Sequence, residues 1–267
     1  EAFKNHQKHP TGYETINEYM ERDYEVPKDI EDYLYVSQLL QARGMKTAIE
    51  AHRRAKPYCM GTLYWQFNDC WPVTSWSSLD YYGNWKAFHY QAKRSFENLL
   101  FSIEEGNDSY RICIVNDDLK QYSGELVIDL IDFNGTKLRN KKIIFIASEN
   151  SSKIHFEIPK KDFLAFNLKQ AVLSVSFPPL EQIYTRHYFF KPKDLQITKP
   201  NIQIKIINEV TIEISSDVLA KDVFLSSEND TFFEDNYFDL LSNEKRIIKL
   251  SKPVQNIKVK SLFDTMK

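Results

Sequence analysis

The chain has 267 residues, which is long enough for one to three domains and a sizeable hydrophobic core. Its net charge of −2 gives no reason to expect a nucleic acid or a membrane surface as a partner. With only 7 glycines, a glycine-rich phosphate-binding loop is not expected, and no apolar run approaches the length of a membrane span. The aromatic content of 14% is high and favours dense cores or contact with carbohydrate.

The N-terminal region is predicted to be mainly helical. The motif Thr11-x-x-Glu14 fits a capping box and predicts a helix that ends near residue 24. Asp29 can cap a longer helix over Ile30–Ala55, whose apolar positions form a broad face. A face of that width is typical of a helix that packs against a sheet.

A short apolar and aromatic run, Cys59–Phe67, separates these helices from a further predicted helix after Gly83-Asn84. The run is too short for a helix, so it predicts a buried strand. Helix, buried strand, polar loop and helix together are typical of an α/β barrel, in which functional residues lie at the carboxyl ends of the strands. One strand cannot form a barrel, so this interpretation requires the other strands to lie outside this sequence.

From about Leu99 the apolar residues alternate with a period of two, which indicates β-strands. The alternating runs are Tyr110/Ile112/Ile114, Leu126/Ile128/Leu130, Ile154/Phe156/Ile158, Ala171/Leu173/Val175/Phe177, Tyr184 to Phe190, Ile202/Ile204/Ile206, Val210/Ile212/Ile214, Val223/Leu225, Ile247/Leu250 and Ile257/Val259. We therefore predict a multi-domain α+β protein, in which a helical remnant of a (β/α)8 barrel over residues 1–98 precedes two immunoglobulin-like β-sandwich domains. The first sandwich is expected over residues 99–192 and a smaller one over residues 193–267.

All four tryptophans of the chain lie between positions 65 and 85, next to the end of the predicted strand. Trp65, Asn68, Asp69 and Trp71 form a candidate binding site, because ligands are commonly bound where a rigid element gives way to a loop. Indole faces stack on sugar rings, and amide and carboxylate groups bond hydroxyl groups. The alternative is a tryptophan cluster that only packs one end of a core.

No metal or cofactor site is predicted. Cys59, Cys70 and Cys113 are odd in number and lack the spacing of metal ligands; Cys59 and Cys70 could meet at the strand end, but free thiols are favoured. His6 and His9 have no nearby cysteine or carboxylate partner, so they are a weak indication of metal binding.

The stretch Arg53–Phe96 contains the pattern W-Q-x-N-D-x-W-P-x-x-S-W-S-S-x-D-Y over Trp65–Tyr81. This pattern resembles the end of the catalytic barrel in β-mannosidases of glycoside hydrolase family two. The segments HQKHPTGYETINEYMERDY and IEDYLYVSQLLQARGMK are also similar to that family, and FFEDNYFDLLSNE is similar to its C-terminal sandwich. Residues 99–200 agree with the family only in their β pattern.

The resemblance implies a parent enzyme that removes terminal β-linked mannose with retention of configuration. Such chemistry needs two carboxyl groups about 5 to 5.5 Å apart. In the family these are glutamates, one after an Asn near the fourth strand and one in a Ser-Glu-aromatic-Gly segment near the seventh, and neither motif is present here. The Asn-Glu pairs at 17–18, 208–209 and 243–244 lie in other contexts, and so does Glu1. No catalytic residue is therefore assigned, and we predict that the isolated chain is inactive.

The resemblance also implies roles for the candidate residues. Trp65 is expected to form a wall of the pocket for the terminal mannose. Asn68 and Asp69 either hold sugar hydroxyls or brace the loop, with bracing favoured. Trp71 either contacts the substrate or packs beneath the site together with Trp76.

The expected partners are a β-mannoside, bound by the complete enzyme, and the rest of the chain's own barrel, with self-association in isolation. A periplasmic, secreted or lysosomal-type location is favoured over the cytoplasm. Two alternatives stay open. One is a related β-galactosidase or β-glucuronidase; the other is a non-catalytic module in which the sandwiches bind carbohydrate or another domain. The second would require exposed aromatic residues on a sandwich face, such as Tyr184, Tyr188, Phe232 and Tyr237.

Overall fold

The structure is a computed structural model, and it describes residues 5–180, 183–229 and 231–266. Glu1, which was considered above as a nucleophile, lies outside the described residues. Within the described ranges β-strands dominate, and the α-helices are confined to the first hundred residues, whereas short 3-10 helices occur later in the chain. The longer helices are α1 (Gly12–Asp23), α2 (Ile30–Arg54) and α3 (Ala87–Ser95). In the described ranges, no helix is both long and apolar enough to cross a membrane.

The positions of all three helices agree with the sequence prediction, but one of the two predicted caps is wrong. The carboxylate of Asp29 accepts the backbone amides of Glu31 and Asp32 at 2.9 and 3.2 Å, so it caps α2 as expected. Thr11 makes no side-chain bond that caps α1. The carbonyl oxygen of Thr11 accepts the amide of Thr15 at 2.9 Å, and the amide of Thr11 donates to the ring of His9 at 3.2 Å.

The predicted buried strand over Cys59–Phe67 is also wrong. No strand is assigned there, and most of its large side chains are exposed, with Leu63 fully in solvent and Trp65 75% exposed. The physical reason is that a strand needs a neighbour to complete its backbone hydrogen bonds. None of the described strands lies beside this segment, which has no regular secondary structure.

The chain divides into two compact units. The first, here called the sandwich unit, consists of residues 46–63 and 93–196. Its strands form a three-stranded sheet in the order β1-β2-β5 and a four-stranded sheet in the order β4-β3-β6-β7, all antiparallel. The strands are β1 (Leu99–Glu105), β2 (Ser109–Asn116), β3 (Tyr122–Asp132), β4 (Lys137–Ala147), β5 (Ser151–Pro159), β6 (Ala171–Ser176) and β7 (Tyr184–Tyr188).

One hydrophobic core joins the two sheets of the sandwich unit. Alternate residues of β2 and β3, such as Ile112, Ile114 and Leu130, are almost completely buried in it. This is the arrangement that period-two patterning predicts for a β-sandwich. The last turns of α2 attach to β1 in this unit, because the hydroxyl of Ser102 donates to Glu50 at 2.7 Å and accepts from Arg54 at 2.6 Å.

The second unit, here called the helix unit, consists of residues 1–45, 64–92 and 197–267. Its strands form two three-stranded sheets, in the orders β12-β9-β8 and β11-β10-β13, around a second core. The strands are β8 (Ile202–Asn208), β9 (Thr211–Ser216), β10 (Ala220–Ser227), β11 (Phe238–Leu240), β12 (Lys245–Lys249) and β13 (Ile257–Lys260).

Within the helix unit, a third core packs the helices against this small β-domain. Tyr35 of α2 donates a hydrogen bond to the carbonyl oxygen of Asp222 at 2.5 Å, and Tyr90 of α3 donates to that of Phe233 at 3.1 Å. Tyr237 is buried among these aromatic rings, 4.8 Å from Phe224 between ring centroids. The non-catalytic alternative would require exposed aromatic residues such as Tyr237, but helix packing covers this side chain.

Candidate functional site

The segment that follows Trp65, residues 66–79, folds back on itself and is here called the site loop. Its two ends are joined because the amide of Leu79 donates to the carbonyl oxygen of Phe67 at 2.9 Å, and the amide of Asp69 donates to that of Leu79 at 3.3 Å. Asn68 and Leu79 form an isolated parallel bridge, and Leu79 also pairs with Trp85. The backbone of the site loop is therefore held by the residues just before α3.

Asp69 is the central polar residue of the site loop, and it is buried. Its carboxylate accepts hydrogen bonds from Ser75 at 2.5 Å, from Ser77 at 2.6 Å and from the ammonium group of Lys86 at 2.9 Å. Lys86 also donates to the hydroxyl oxygen of Ser77 at 2.7 Å. A buried charge needs such partners, and here they join both ends of the loop to the residue before α3.

Burial raises the pKa of Asp69, but the hydrogen bonds from Ser75, Ser77 and Lys86 outweigh burial and hold the pKa below its ordinary value. The carboxylate is therefore ionised at neutral pH. Because its partners occupy both oxygens, this geometry suits a group that braces a loop.

Ser78 organises the other side of the site loop. Its hydroxyl group donates to the carbonyl oxygen of Phe67 at 2.9 Å and lies 3.1 Å from the hydroxyl of Tyr64 and 2.9 Å from Nδ1 of His89. Burial lowers the pKa of His89, which therefore favours the neutral imidazole. Asp80 closes the following turn by accepting the amides of Tyr82 and Asn84.

A groove of about 330 Å³ opens between the site loop and the segment 7–10, and it is here called the tryptophan groove. Its lining residues are Gln7, Lys8, His9, Pro10, Gln66, Asp69, Cys70, Trp71, Val73, Thr74, Ser75 and Trp76. The side chain of Gln7 and the backbone of His6 both bond the backbone of Thr74, at 3.2 and 2.8 Å. These contacts fix the segment 7–10 as a wall of the groove.

The structure brings two of the four predicted site residues into the groove and leaves two outside it. Asp69 and Trp71 line the groove, and Trp71 stacks on His6 with ring centroids 5.4 Å apart. Trp65 lies outside the lining and is largely exposed; its peptide bond to Gln66 is cis. Asn68 is exposed and donates to the carbonyl oxygen of Asp69 at 3.2 Å.

Two features of the site were not predicted from the sequence. One is the ion pair of Asp69 with Lys86, since the two residues are separated by seventeen positions and only the folded turn brings them together. The other is the packing of residues 7–10 against the site loop as a groove wall; the family resemblance implies that this segment lies near the site but does not specify these contacts. The described residues contain no cluster of His, Cys, Asp and Glu that could hold a metal ion.

Comparison with known proteins defines the class of the β-domains. Residues 108–194 match the family described as the mannosidase Ig/CBM-like domain, and residues 197–265 match an Ig-fold domain family of mannosidases. The chain thus carries two immunoglobulin-like domains of the mannosidase type, as the β pattern had indicated.

The whole chain is similar to β-mannosidases. It is 27% identical to the β-mannosidase of Mus musculus in an alignment of 268 positions, which covers 89% of this chain and 30% of that protein. In a shorter alignment of 76 positions, which covers 26% of this chain and 9% of the relative, it is 49% identical to the β-mannosidase of Capra hircus. The crystal structure of a β-D-mannosidase from Dictyoglomus thermophilum superimposes with a TM-score of 0.88 and 28% identity, over 99% of this chain and 34% of that one.

These comparisons confirm the resemblance to β-mannosidases of glycoside hydrolase family two. The chain spans about a third of the length of these relatives. It also shares its fold with the exo-chitosanase CsxA of Amycolatopsis orientalis, with a TM-score of 0.72 and 13% identity over 93% of this chain and 37% of that one.

Proposed function

We propose that this chain is the C-terminal part of a retaining exo-β-mannosidase, an enzyme that hydrolyses terminal β-D-mannose from β-mannosides. The observation that carries the proposal is the match to the Dictyoglomus thermophilum β-D-mannosidase, which extends over 99% of the chain at 28% identity. A match of that extent includes the helices and the site loop as well as the two β-domains.

In this proposal residues 1–98 supply the end of the enzyme's barrel, followed by sandwich domains over 99–192 and 193–267. The exposed apolar run Tyr58–Phe67 supports the barrel assignment, because large exposed apolar segments usually have a partner. The proposed partner is the rest of the same barrel. In the absence of that partner, the chain is proposed to associate with itself.

The proposed roles of the site residues follow their geometry. Trp65 is largely exposed at the start of the site loop, where its indole can stack on the terminal mannose. Asn68 is exposed beside it and can bond sugar hydroxyls. Asp69 is engaged by three donors and braces the loop, while Trp71, stacked on His6, packs at its base.

The isolated chain is proposed to be inactive, because it contains neither of the glutamate motifs that the family uses for catalysis. The test is hydrolysis of an aryl β-mannoside by the purified chain, for which we expect no turnover above a blank. Turnover that a single Glu→Gln substitution abolishes would show that this chain holds a catalytic pair, and the proposal of inactivity would fail.

The assignment to β-mannosidases is tested with a chimera in which this chain replaces the matching third of the Dictyoglomus thermophilum enzyme. We expect the chimera to hydrolyse an aryl β-mannoside and to prefer it to the corresponding β-galactoside and β-glucuronide. Trp65→Ala should lower kcat/KM about tenfold, through loss of one stacked aromatic contact and its buried area. Tyr82→Ala, at an equally exposed aromatic residue, is the matched control and should leave kcat/KM unchanged.

A folded chimera that prefers a β-galactoside or β-glucuronide would favour the related activities instead. The alternative of a non-catalytic carbohydrate-binding module is less well supported, because Tyr237 is buried and Phe232 packs on Trp85 with centroids 4.9 Å apart. These contacts favour an architectural role for the C-terminal β-domain, which covers apolar surface on the helices of its own unit.

A further inference from the structure

The tryptophan groove combines an exposed aromatic face with polar groups, as sugar sites do. The indole of Trp76 lines the groove and is 51% exposed. The groove's volume of about 330 Å³ falls at the lower end of the range for small-molecule sites. Trp65 does not line it, so the groove is distinct from the stacking position proposed above.

Two side chains of opposite walls supply hydrogen-bonding groups. Nδ1 of His9 accepts the amide of Thr11 at 3.2 Å, so the neutral imidazole carries its proton on Nε2, which is a donor. Across the groove, the amide of Gln66 donates to the carbonyl oxygen of Asn68 at 2.9 Å and is thereby oriented. Donors and acceptors beside an indole face are what the hydroxyl groups and C–H face of a sugar ring require.

The charge of the groove restricts the kind of sugar. Asp69 is the sole carboxylate among the described residues that line it, and Lys86 already neutralises that charge at 2.9 Å. Lys8 also lines the groove, with its ammonium group 5.4 Å from the ring of Trp71. Lys8 therefore gives the groove a net positive charge. Among the described lining residues, no carboxylate is left to pair with an ammonium group on a ligand.

We propose that the tryptophan groove is a second sugar subsite, which binds a neutral sugar ring on Trp76 and excludes amino sugars. The proposal rests on the proposed function, from which the class of ligand is taken. It adds a basis for selectivity. The ammonium group of Lys8 repels a cationic sugar and so weakens its binding, whereas the binding of a neutral sugar is not weakened in this way.

Cys70 provides a direct probe, because its thiol is exposed and lines the groove. The experiment uses the full chain with Cys59→Ser, so that Cys70 is the accessible thiol, and measures its rate of reaction with a dipyridyl disulfide at mildly acidic pH. We expect β-1,4-mannobiose to slow the reaction, and the glucosamine disaccharide chitobiose to require about tenfold higher concentration for the same protection. No protection by mannobiose, or equal protection by the two sugars, would overturn the proposal.

Three variants show whether the effect arises in the groove. Trp76→Ala should weaken protection by mannobiose about tenfold, whereas Tyr82→Ala, at an exposed aromatic residue outside the lining, should not change it. Lys8→Gln should reduce the difference between the concentrations of the two disaccharides that give equal protection, because it removes the positive charge that repels chitobiose. An unchanged preference in Lys8→Gln would contradict the charge argument.

The outcome can be separated from that of the proposed function. The groove is tested by sugar binding to the chain itself, whereas the enzymatic assignment is tested by hydrolysis in the chimera. If the chimera cleaves β-mannosides but mannobiose does not protect Cys70, the subsite proposal is wrong and the proposed function stands. If mannobiose protects Cys70 but the chimera is inactive, sugar binding in the groove stands and the assignment to β-mannosidases is wrong.

Discussion

The ammonium group of Lys86 lies 2.9 Å from the carboxylate of Asp69, and both side chains are almost excluded from solvent. Asp69 lies near the start of the site loop, and Lys86 lies just before α3, so the ion pair closes the loop against the helix that follows it. Because the same carboxylate accepts Ser75 and Ser77, one ionised group determines the path of about ten residues around the groove.

Replacing Lys86 with Met should lower the free energy of unfolding by about 2 to 3 kcal/mol, because the substitution leaves a buried carboxylate that only two hydroxyl groups still satisfy. Denaturant unfolding followed by tryptophan fluorescence measures the change, since all four tryptophans lie at positions 65–85. The control is Lys142→Met, which breaks a solvent-exposed pair with Glu125 and should leave the free energy of unfolding nearly unchanged. Equal losses in the two variants would show that the buried pair has no special role.

The lowered pKa of Asp69 predicts how this stabilisation depends on pH. A carboxyl group whose pKa is lower in the folded state stabilises the protein above its unfolded pKa of about 3.9, and the stabilisation is lost as the pH falls through the folded pKa. The stability difference between the wild type and Asp69→Asn should therefore be constant from neutral pH to about pH 5 and shrink below about pH 4. Glu149→Gln, at an exposed carboxyl group, is the surface control. A difference that shrinks between pH 5 and 7 would contradict this assignment.

The cysteines should differ widely in reactivity. Burial raises the pKa of Cys113 to about 11, whereas Cys70 is exposed. Since the thiolate is the reactive form, Cys113 should be alkylated at least about a hundredfold more slowly than Cys70 near pH 8. Iodoacetamide labelling read by peptide mass spectrometry tests this, and unfolding the chain in denaturant should remove the difference. Comparable rates in the folded chain would mean that β2 opens readily.

Tyr237 should be one of the residues that hold the C-terminal β-domain to the helices of its unit. Its ring is buried and stacks on Tyr35 and Phe224 at 6.2 and 4.8 Å, so Tyr237→Ala should cost about 3 kcal/mol of stability. The control is Tyr58→Ala, whose side chain is 96% exposed and should change stability by less than about 0.5 kcal/mol. Thermal and chemical unfolding of both variants would decide it, and a neutral Tyr237→Ala would speak against the architectural role.

Local sequence patterns predicted most of the regular structure. The cap at Asp29 and the strand alternation of Ile112 and Ile114 were found where expected, because both depend on residues a few positions apart. Strand β4 was missed, since Lys137–Ala147 contains consecutive apolar residues instead of clean alternation. Ile144 faces solvent there although it is apolar, and only the pairing of β4 with β3 shows which side of the strand is buried.

The candidate site was predicted only in part. The motif over Trp65–Tyr81 was sufficient for the resemblance to β-mannosidases, which the comparisons confirm. The substrate-binding roles of Trp65 and Asn68 stay predictions. The groove and the ion pair of Asp69 with Lys86 could not be predicted, because they depend on the path of a turn that no local preference specifies.

By itself the sequence determined the β-sandwich character of the C-terminal half, the main helices and the family resemblance, since periodicity, caps and a long motif are encoded in neighbouring residues. Tertiary structure alone decided that Tyr237 is buried, that Cys59–Phe67 is exposed coil and that the ionised carboxylate of Asp69 is paired with Lys86. The physical reason is that burial and charge pairing depend on which distant surfaces meet. An apolar or ionised side chain can only be satisfied by the neighbours that the fold supplies.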